Sequence, residues 1–186
     1  MRTFAEPLTR RRLIRNALIA APAIFVARYS GRVEAATGTR RIALLNTHTA
    51  ESLEIAYFAD GAYVADALGH LNQLLRDHRT GEVGVIDSAL FDVLHQVALA
   101  ANADPTFEVI SGFRSALSND MLRAQGGGVA RQSLHLKGMA IDVRLRGIEC
   151  SRLRDIGLEL ACGGVGYYPK SGFVHLDTGR VRNWRG

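Results

Sequence analysis

MAIDVRL at residues 139–145, GVGYY at 164–168 and FVHLD at 173–177 are the segments that decide the predicted fold. Each is short, contains β-branched or aromatic residues and is bounded by glycine or proline, a pattern typical of β-strands. The last two are expected to lie on either side of a turn at 169–172.

Apolar spacing in the preceding residues predicts both strands and helices. Strands are predicted at 41–46, 51–58 and 107–111, and helices over 63–78, after the Asp87-Ser88 cap, from about 116 to 124, and between Cys150 and Cys162. Helices dominate early and short strands late, which favours an α+β fold. We expect a short, largely antiparallel sheet that carries the functional site, with helices packed on one side.

The net charge of +5 is concentrated at the N-terminus, because residues 1–35 hold seven arginines and two glutamates. From Ala36 onward, basic and acidic residues balance. A nucleic-acid interface needs a basic surplus in the folded region, so nucleic acid is excluded as a partner. The apolar stretch at 17–27 is shorter than the ~20 residues of a membrane helix, which excludes a multi-pass membrane protein.

Residues 1–35 have the three parts of a secretory signal: a charged region, a short apolar region and small residues near Ala35 and Ala36. The paired arginines after Thr9 resemble the twin-arginine motif. We predict a twin-arginine-type signal peptide at 1–35, cleaved after Ala35 or Ala36, and one domain at 36–186. The alternative is a basic amphipathic surface helix.

Export through the twin-arginine machinery predicts a periplasmic or cell-envelope location, with the membrane contacted only through the signal segment. Export raises the question of whether Cys150 and Cys162 form a disulfide. The helix predicted between them separates their Cα atoms by roughly 18 Å, which is too far for a disulfide. We expect two unpaired, buried small residues.

Two of the six histidines stand out by their neighbours. His135 enters a predicted strand that carries Asp142, and His175 lies within an otherwise apolar strand. Two imidazoles and one carboxylate, with a position left for water, are the ligand count of a catalytic zinc site. The alternative is that both are hydrogen-bonded core histidines. The other four have ordinary structural interpretations: His48, His70, His78 and His95.

Several motifs together resemble a known family. The pattern Ser-x-His-x-x-Gly-x-Ala-x-Asp at 133–142, the later strand histidine and Ser-Gly-Phe-Arg-Ser at 111–115 are similar to zinc peptidases that cut peptidoglycan stem peptides. That superfamily includes D-Ala-D-Ala carboxypeptidases, D-Ala-D-Ala dipeptidases and murein endopeptidases. The likeness to the exported murein endopeptidases of the K type extends to further motifs at 76–82, 163–169 and 173–179.

The resemblance implies that His135, Asp142 and His175 are zinc ligands. It also implies that Arg114 holds a substrate carboxylate or positions the scissile carbonyl, a task suited to a planar guanidinium. Without the resemblance, Arg114 is interpreted as part of a surface ion pair. Ser133 is expected to be a hydrogen-bond partner for the substrate within the site.

One position departs from the family pattern. Many relatives place a glutamate general base three residues before the last histidine, where this chain has Gly172. Asp177 is the best replacement, because residues i and i+2 of a strand share a face and Asp177 is therefore beside His175. Its alternative role is to orient a ligand imidazole.

These observations predict a zinc metallopeptidase that hydrolyses peptide cross-links of peptidoglycan through a zinc-activated water. The resemblance suggests 3–3 cross-links, with 4–3 cleavage or carboxypeptidase trimming left open. The alternative, favoured by Gly172, is a zinc-containing peptidoglycan-binding or regulatory domain without turnover. A third possibility is a structural domain without metal.

Overall fold

In a computed structural model, the described residues are 38–104, 106–126 and 129–186. Their strands are β1 (Arg40–Asn46), β2 (Ser52–Ala59), β3 (Ala62–Tyr63), β4 (Thr106–Ser111), β5 (Ala140–Leu145), β6 (Gly164–Tyr168), β7 (Phe173–Asp177) and β8 (Arg182–Arg185). Their helices are α1 (Ala65–Leu74), α2 (Ser88–Ala101), α3 (Ala116–Ala124) and α4 (Cys150–Leu160), with a 3₁₀ helix at Leu134–Lys137. The predicted signal peptide at 1–35 lies outside the described residues.

The strands of this region form one sheet in the order β3–β2–β1–β4–β5–β7–β6–β8. The β1–β4 and β6–β8 pairs are parallel, and the other neighbouring pairs are antiparallel. The predicted α+β fold with a largely antiparallel sheet is confirmed, with the difference that the sheet is mixed. A parallel pair needs a long connection, and the one between β1 and β4 contains α1 and α2.

Local sequence explains where the helices begin and end. The Asp87 side chain accepts a hydrogen bond from the backbone N–H of Ala89 at 3.1 Å, so Asp87 caps α2 as predicted. Helix α1 is shorter than predicted at both ends. Tyr63 pairs with β2 instead, and residues 77–82 form a turn closed by the backbone bond from Asp77 N–H to the Glu82 carbonyl.

The hydrophobic core lies between one face of the sheet and the helices α1, α2 and α4. Alternate residues of β5 and β7 are fully buried there, namely Ile141, Val143 and Val174, together with Leu90 and Leu94 of α2 and Leu153 and Ile156 of α4. Burial of each such side chain contributes about 1.5–3 kcal/mol. The described residues of α3 contribute nothing to this core.

The opposite face of the same strands is polar. Because side chains alternate between the faces of a strand, Asp142 of β5 and His175 and Asp177 of β7 project away from the core. The period of two that buries Ile141 and Val174 therefore also collects the polar residues on one face.

Both cysteines are free, as predicted, but the expectation that they are buried is wrong. Cys150 is half-buried at the start of α4, and Cys162 is exposed. Helix α4 ends at Leu160, and Ala161 adopts a left-handed conformation that breaks the helical path before Cys162. None of the helices in the described part of the chain has the length and hydropathy of a membrane span.

Candidate metal centre

Three elements bring His135, Asp142 and His175 together. Asp142 of β5 and His175 of β7 are directly opposite each other in the antiparallel register. His135 lies in the 3₁₀ helix, which ends at Gly138 in a left-handed conformation (φ 65°) before the chain enters β5. Glycine adopts this conformation without steric cost, so Gly138 permits the turn between His135 and β5. All three residues are at most 8% exposed.

The ligand atoms of these residues converge on one point. Asp142 Oδ1 lies 2.8 Å from His175 Nδ1 and 3.3 Å from His135 Nε2, and the two ring nitrogens are 3.2 Å apart. Donors held at 2.0–2.2 Å from one tetrahedral ion lie about 3.3–3.6 Å from each other, close to the 3.2 and 3.3 Å found for two of the three pairs. The spacing therefore fits a single divalent metal ion.

The outward nitrogen of each imidazole is engaged elsewhere. His135 Nδ1 lies 2.8 Å from the carbonyl oxygen of Gly112, and His175 Nε2 lies 3.0 Å from Asp177 Oδ2. A carbonyl only accepts, so His135 Nδ1 carries its proton and Nε2 has a lone pair. His175 has a carboxylate oxygen beside each ring nitrogen; donation from Nε2 to Asp177 leaves Nδ1 as the nitrogen that a metal ion would bind. Ligand histidines are held in this way in metal sites.

The charges of the cluster also suit a cation. Burial acts to raise the pKa of Asp142, but the adjacent imidazoles of His135 and His175 outweigh it and the pKa is well below its usual range. The pKa of His175 is raised, because its hydrogen bonds to Asp142 and Asp177 outweigh the effect of burial, which alone would lower it. The buried cluster thus favours positive charge at its centre.

Asp177 lies behind His175, on the side away from the converging ligand atoms. Its Oδ2 accepts from His175 Nε2 and, at 2.7 Å, from Arg182, while its Oδ1 accepts from Arg182 and from the backbone N–H groups of Gly164 and Gly179. These five hydrogen bonds occupy both oxygens of a carboxylate that is 1% exposed. Of the two roles left open by the sequence, this geometry favours orienting His175.

Arg114 lies beside Asp142, three residues after the end of β4. Its Nη2 is 3.9 Å from Asp142 Oδ2 and 3.5 Å from Ser111 Oγ, and the residue is 8% exposed. Its Nε has no hydrogen-bond partner among the described residues. Arg114 is therefore a buried cation beside the group formed by His135, Asp142 and His175, and not part of a surface ion pair.

The Ser133 side chain stabilises the backbone at His135 through a hydrogen bond. Its side chain accepts a hydrogen bond from the His135 N–H at 3.4 Å, capping the 3₁₀ helix, and the residue also lines the cleft. Ser133 thus lies in the site, where its observed hydrogen bond is to protein backbone.

The turn at 76–82 supports Arg114 in a way that sequence reasoning missed. Asp77 is 1% exposed, and its carboxylate accepts hydrogen bonds from the backbone N–H and the hydroxyl of Ser115 at 2.8 and 2.7 Å, and from the Arg79 N–H at 2.9 Å. Asp77 therefore fixes the residue that follows Arg114. The motif was visible in the sequence, but no periodicity marks an acid that acts from a distant turn.

The backbone at Gly172 disfavours the glutamate that the resemblance predicts at this position. Its φ is 68°, a conformation that side chains other than glycine rarely adopt, and its carbonyl accepts a hydrogen bond from Arg144 Nε at 2.5 Å. A glutamate at this position is therefore strained.

A cleft of about 270 Å³ opens over the cluster. Besides the residues already named, its lining includes the side chains of Gln132, Leu134, Tyr168, Phe173, Arg182 and Trp184. Sequence reasoning missed Tyr168, Arg182 and Trp184 as site residues, and strand β8, which carries two of them, was not predicted. The polar segment RNWR lacks the apolar alternation that would have revealed it.

The remaining histidines lie elsewhere. His48 and His78 stack on each other with ring centroids 3.8 Å apart, and His70 and His95 lie on helices α1 and α2. None of the four belongs to the metal-binding group found among the described residues.

Comparison with known proteins identifies relatives. Residues 34–184 match the family described as Peptidoglycan L,D-endopeptidase MepK. The Escherichia coli (strain K12) protein of that name is 41% identical over 145 residues, which are 78% of this chain and 80% of the relative. A Haemophilus influenzae protein named probable peptidoglycan L,D-endopeptidase MepK is 39% identical over 150 residues, 79% of this chain and 80% of the relative. No solved structure matches the chain.

Proposed function

The chain belongs to the peptidoglycan L,D-endopeptidase MepK family and is a murein endopeptidase, and we propose that it is a zinc enzyme that hydrolyses 3–3 cross-links. The observation that carries the metal assignment is the convergence of His135 Nε2, Asp142 Oδ1 and His175 Nδ1, all within 3.3 Å of each other. The relatives are named L,D-endopeptidases, and the amide of a 3–3 cross-link is an L,D bond between two diaminopimelate residues. Their names therefore support the 3–3 cross-link as the bond that is cut.

Zinc is the metal that best suits this donor set. Two imidazoles and one carboxylate leave one tetrahedral position open, as in catalytic zinc sites. When bound, zinc supplies a Lewis acid that polarises a carbonyl and lowers the pKa of a water molecule towards about 7.

The surrounding residues have distinct roles in this proposal. Arg114, buried beside the cluster, holds a substrate carboxylate or the oxygen of the scissile carbonyl, where charge develops during hydrolysis. Asp177 keeps His175 in the tautomer that directs Nδ1 at the metal. Ser133 keeps the 3₁₀ helix, and with it His135, in position and borders the bound peptide.

Digestion of purified sacculi by the zinc-loaded protein tests the proposal, with muropeptides resolved by mass. The expected result is loss of 3–3 cross-linked dimers, abolished by a chelator and by His135→Ala. Loss of 4–3 dimers alone would show that the bond is assigned wrongly. Unchanged muropeptides with zinc bound one-to-one would indicate the binding domain instead of an enzyme.

Peptidoglycan lies in the cell envelope, so the enzyme acts there. For export we propose residues 1–35 as a twin-arginine-type signal, cleaved after Ala35 or Ala36. Replacing Arg10 and Arg11 together by lysine is expected to leave the protein in the cytoplasm, as measured by cell fractionation. Export of that variant at the wild-type level would contradict the assignment, and Arg2→Lys is the matched control.

A further inference from the structure

The strand order separates two groups of residues around the candidate metal site. Arg114 follows β4, the cluster residues Asp142 and His175 are on β5 and β7, and Tyr168 and Trp184 are on β6 and β8. Neighbouring strands in a sheet are about 4.8 Å apart. Tyr168 and Trp184 therefore enter the cleft from the two strands beyond β7, whereas Arg114 enters it from the chain that follows β4.

Two contacts hold the phenol of Tyr168 in the cleft. Tyr168 pairs with Phe173 across the strands, and their rings stack with centroids 4.6 Å apart. Trp184 Nε1 donates a hydrogen bond to the Tyr168 hydroxyl oxygen at 2.8 Å, and its indole packs on the ring of His175 at 5.1 Å between centroids. Gly166 leaves the space for the indole, since a Cβ there would lie 2.6 Å from it.

This arrangement leaves the phenolic proton free. An indole N–H can only donate, so the Tyr168 oxygen is the acceptor in its bond with Trp184. The hydroxyl makes no second hydrogen bond to the described residues. A positioned O–H donor without an acceptor, on the wall of a cleft that receives a peptide, is suited to a peptide oxygen.

We propose that Tyr168 contacts the substrate, donating its phenolic hydrogen bond to an acceptor oxygen of the cross-linked peptide in the cleft over the cluster. Trp184 is the positioning residue that orients this donor. The inference rests on the proposed function, because it assigns a contact within the same cleft.

A double-mutant cycle tests the pair, measured as kcat/KM on a purified cross-linked dimer. Tyr168→Phe is expected to lower kcat/KM about 10- to 100-fold. This is the range for loss of one hydrogen bond to an acceptor oxygen that is charged or becomes charged during hydrolysis. Trp184→Phe keeps an aromatic ring over His175 and removes the N–H donor, so a loss of about 3- to 10-fold is expected when Tyr168 is present. The double variant is expected to be no slower than Tyr168→Phe.

The control is Tyr167→Phe, the same change on the opposite face of β6, where the ring contacts Arg154; its kcat/KM is expected to equal that of the wild type. Zinc content and thermal unfolding are measured for every variant. Wild-type kinetics for Tyr168→Phe would overturn the proposal. So would an equal loss from Trp184→Phe with and without Tyr168, which would show that Trp184 acts through His175.

Failure of the proposed function has a different signature, namely a wild-type protein that cleaves no cross-linked dimer. In that event the same proteins are compared for binding of the intact dimer by calorimetry. Weaker binding by Tyr168→Phe than by the wild type and Tyr167→Phe supports the contact, and equal affinity overturns it.

Discussion

At the scale of single residues, Asp177 lies behind His175, a proposed metal ligand, and both of its oxygens accept hydrogen bonds. Asp177→Asn places an amide against His175 Nε2 and no longer enforces the tautomer that frees Nδ1. We expect zinc affinity to fall about 10- to 100-fold, as for similar carboxylate partners. Zinc titration against a competing chelator measures this loss.

The same variant distinguishes orientation from proton transfer. At saturating zinc, Asp177→Asn is expected to recover hydrolysis to within about tenfold of wild type, since outer partners of this kind act largely through metal binding. Abolished hydrolysis at full zinc occupancy would assign Asp177 as the general base. Asp120→Asn, at an exposed position on α3, is the control.

Gly172 permits a second test at this scale. Gly172→Glu introduces the glutamate that the resemblance predicts at this position but forces a side chain into a left-handed conformation, at a cost of about 1–2 kcal/mol of folding stability. A Cβ at this position lies 3.6 Å from the Arg144 guanidinium. We expect no gain in rate over Gly172→Ala, which carries the same strain without the carboxylate, in urea unfolding and hydrolysis assays run together. A faster Glu variant would contradict this.

At the scale of elements, the antiparallel pairing of β5 with β7 sets two of the three cluster residues opposite each other. A shift of one residue in this register would move His175 to the core face, because the side-chain period of a strand is two. The buried residues Ile141 and Val174 oppose such a shift. Packing on the core face therefore maintains the geometry of the polar face.

The turn at 76–82 is a separate element that acts on the site through the backbone. In the wild type, the two carboxylate oxygens of Asp77 accept three hydrogen bonds, and Asp77→Asn leaves only one acceptor oxygen. We therefore expect a loss of roughly 2 kcal/mol in the free energy of unfolding. We also expect a several-fold lower kcat/KM, because Ser115 no longer fixes Arg114. Urea unfolding and hydrolysis assays measure the two effects.

Glu82→Gln is the matched control for that turn, since this exposed side chain makes no hydrogen bond within the described residues. It is expected to leave both quantities unchanged. Wild-type stability in Asp77→Asn would show that the buried carboxylate contributes little to the turn.

At the scale of the whole molecule, three buried carboxylates predict the response to acid. The pKa values of Asp77, Asp142 and Asp177 are all lowered. Hydrogen bonds outweigh burial at Asp77, and at Asp142 and Asp177 the adjacent histidine or arginine side chains contribute as well. Their stabilising contributions are present above the unfolded-state pKa near 4 and are lost as pH falls through the folded values. We expect the metal-free protein to lose up to about 1.4 kcal/mol per pH unit for each carboxylate below pH 4.

Urea unfolding between pH 2 and 6 measures this slope. In Asp77→Asn the slope is expected to decrease by the share of one carboxylate, and in Glu82→Gln to stay the same. An unchanged slope in Asp77→Asn would mean that Asp77 titrates normally in the folded protein.

Much of the fold could be predicted because its signals are local. The bounds of β6 and β7 were predicted as observed, and Asp87 was identified as the cap of α2, since strand alternation and capping depend on residues a few positions apart. Strands β3 and β8 were missed because a two-residue pair and the polar segment RNWR contain no such alternation.

What the sequence by itself determined was the set of polar residues able to bind a metal, because His135, Asp142 and His175 stand out against apolar strands. Only the tertiary structure decided how their neighbours act: that Asp177 contacts the outward nitrogen of His175, that Asp77 holds the residue after Arg114, and that Trp184 reaches Tyr168. Residue spacing along a strand is encoded locally. Contacts between strands and turns follow from sheet order and register, which arise only when the whole chain packs.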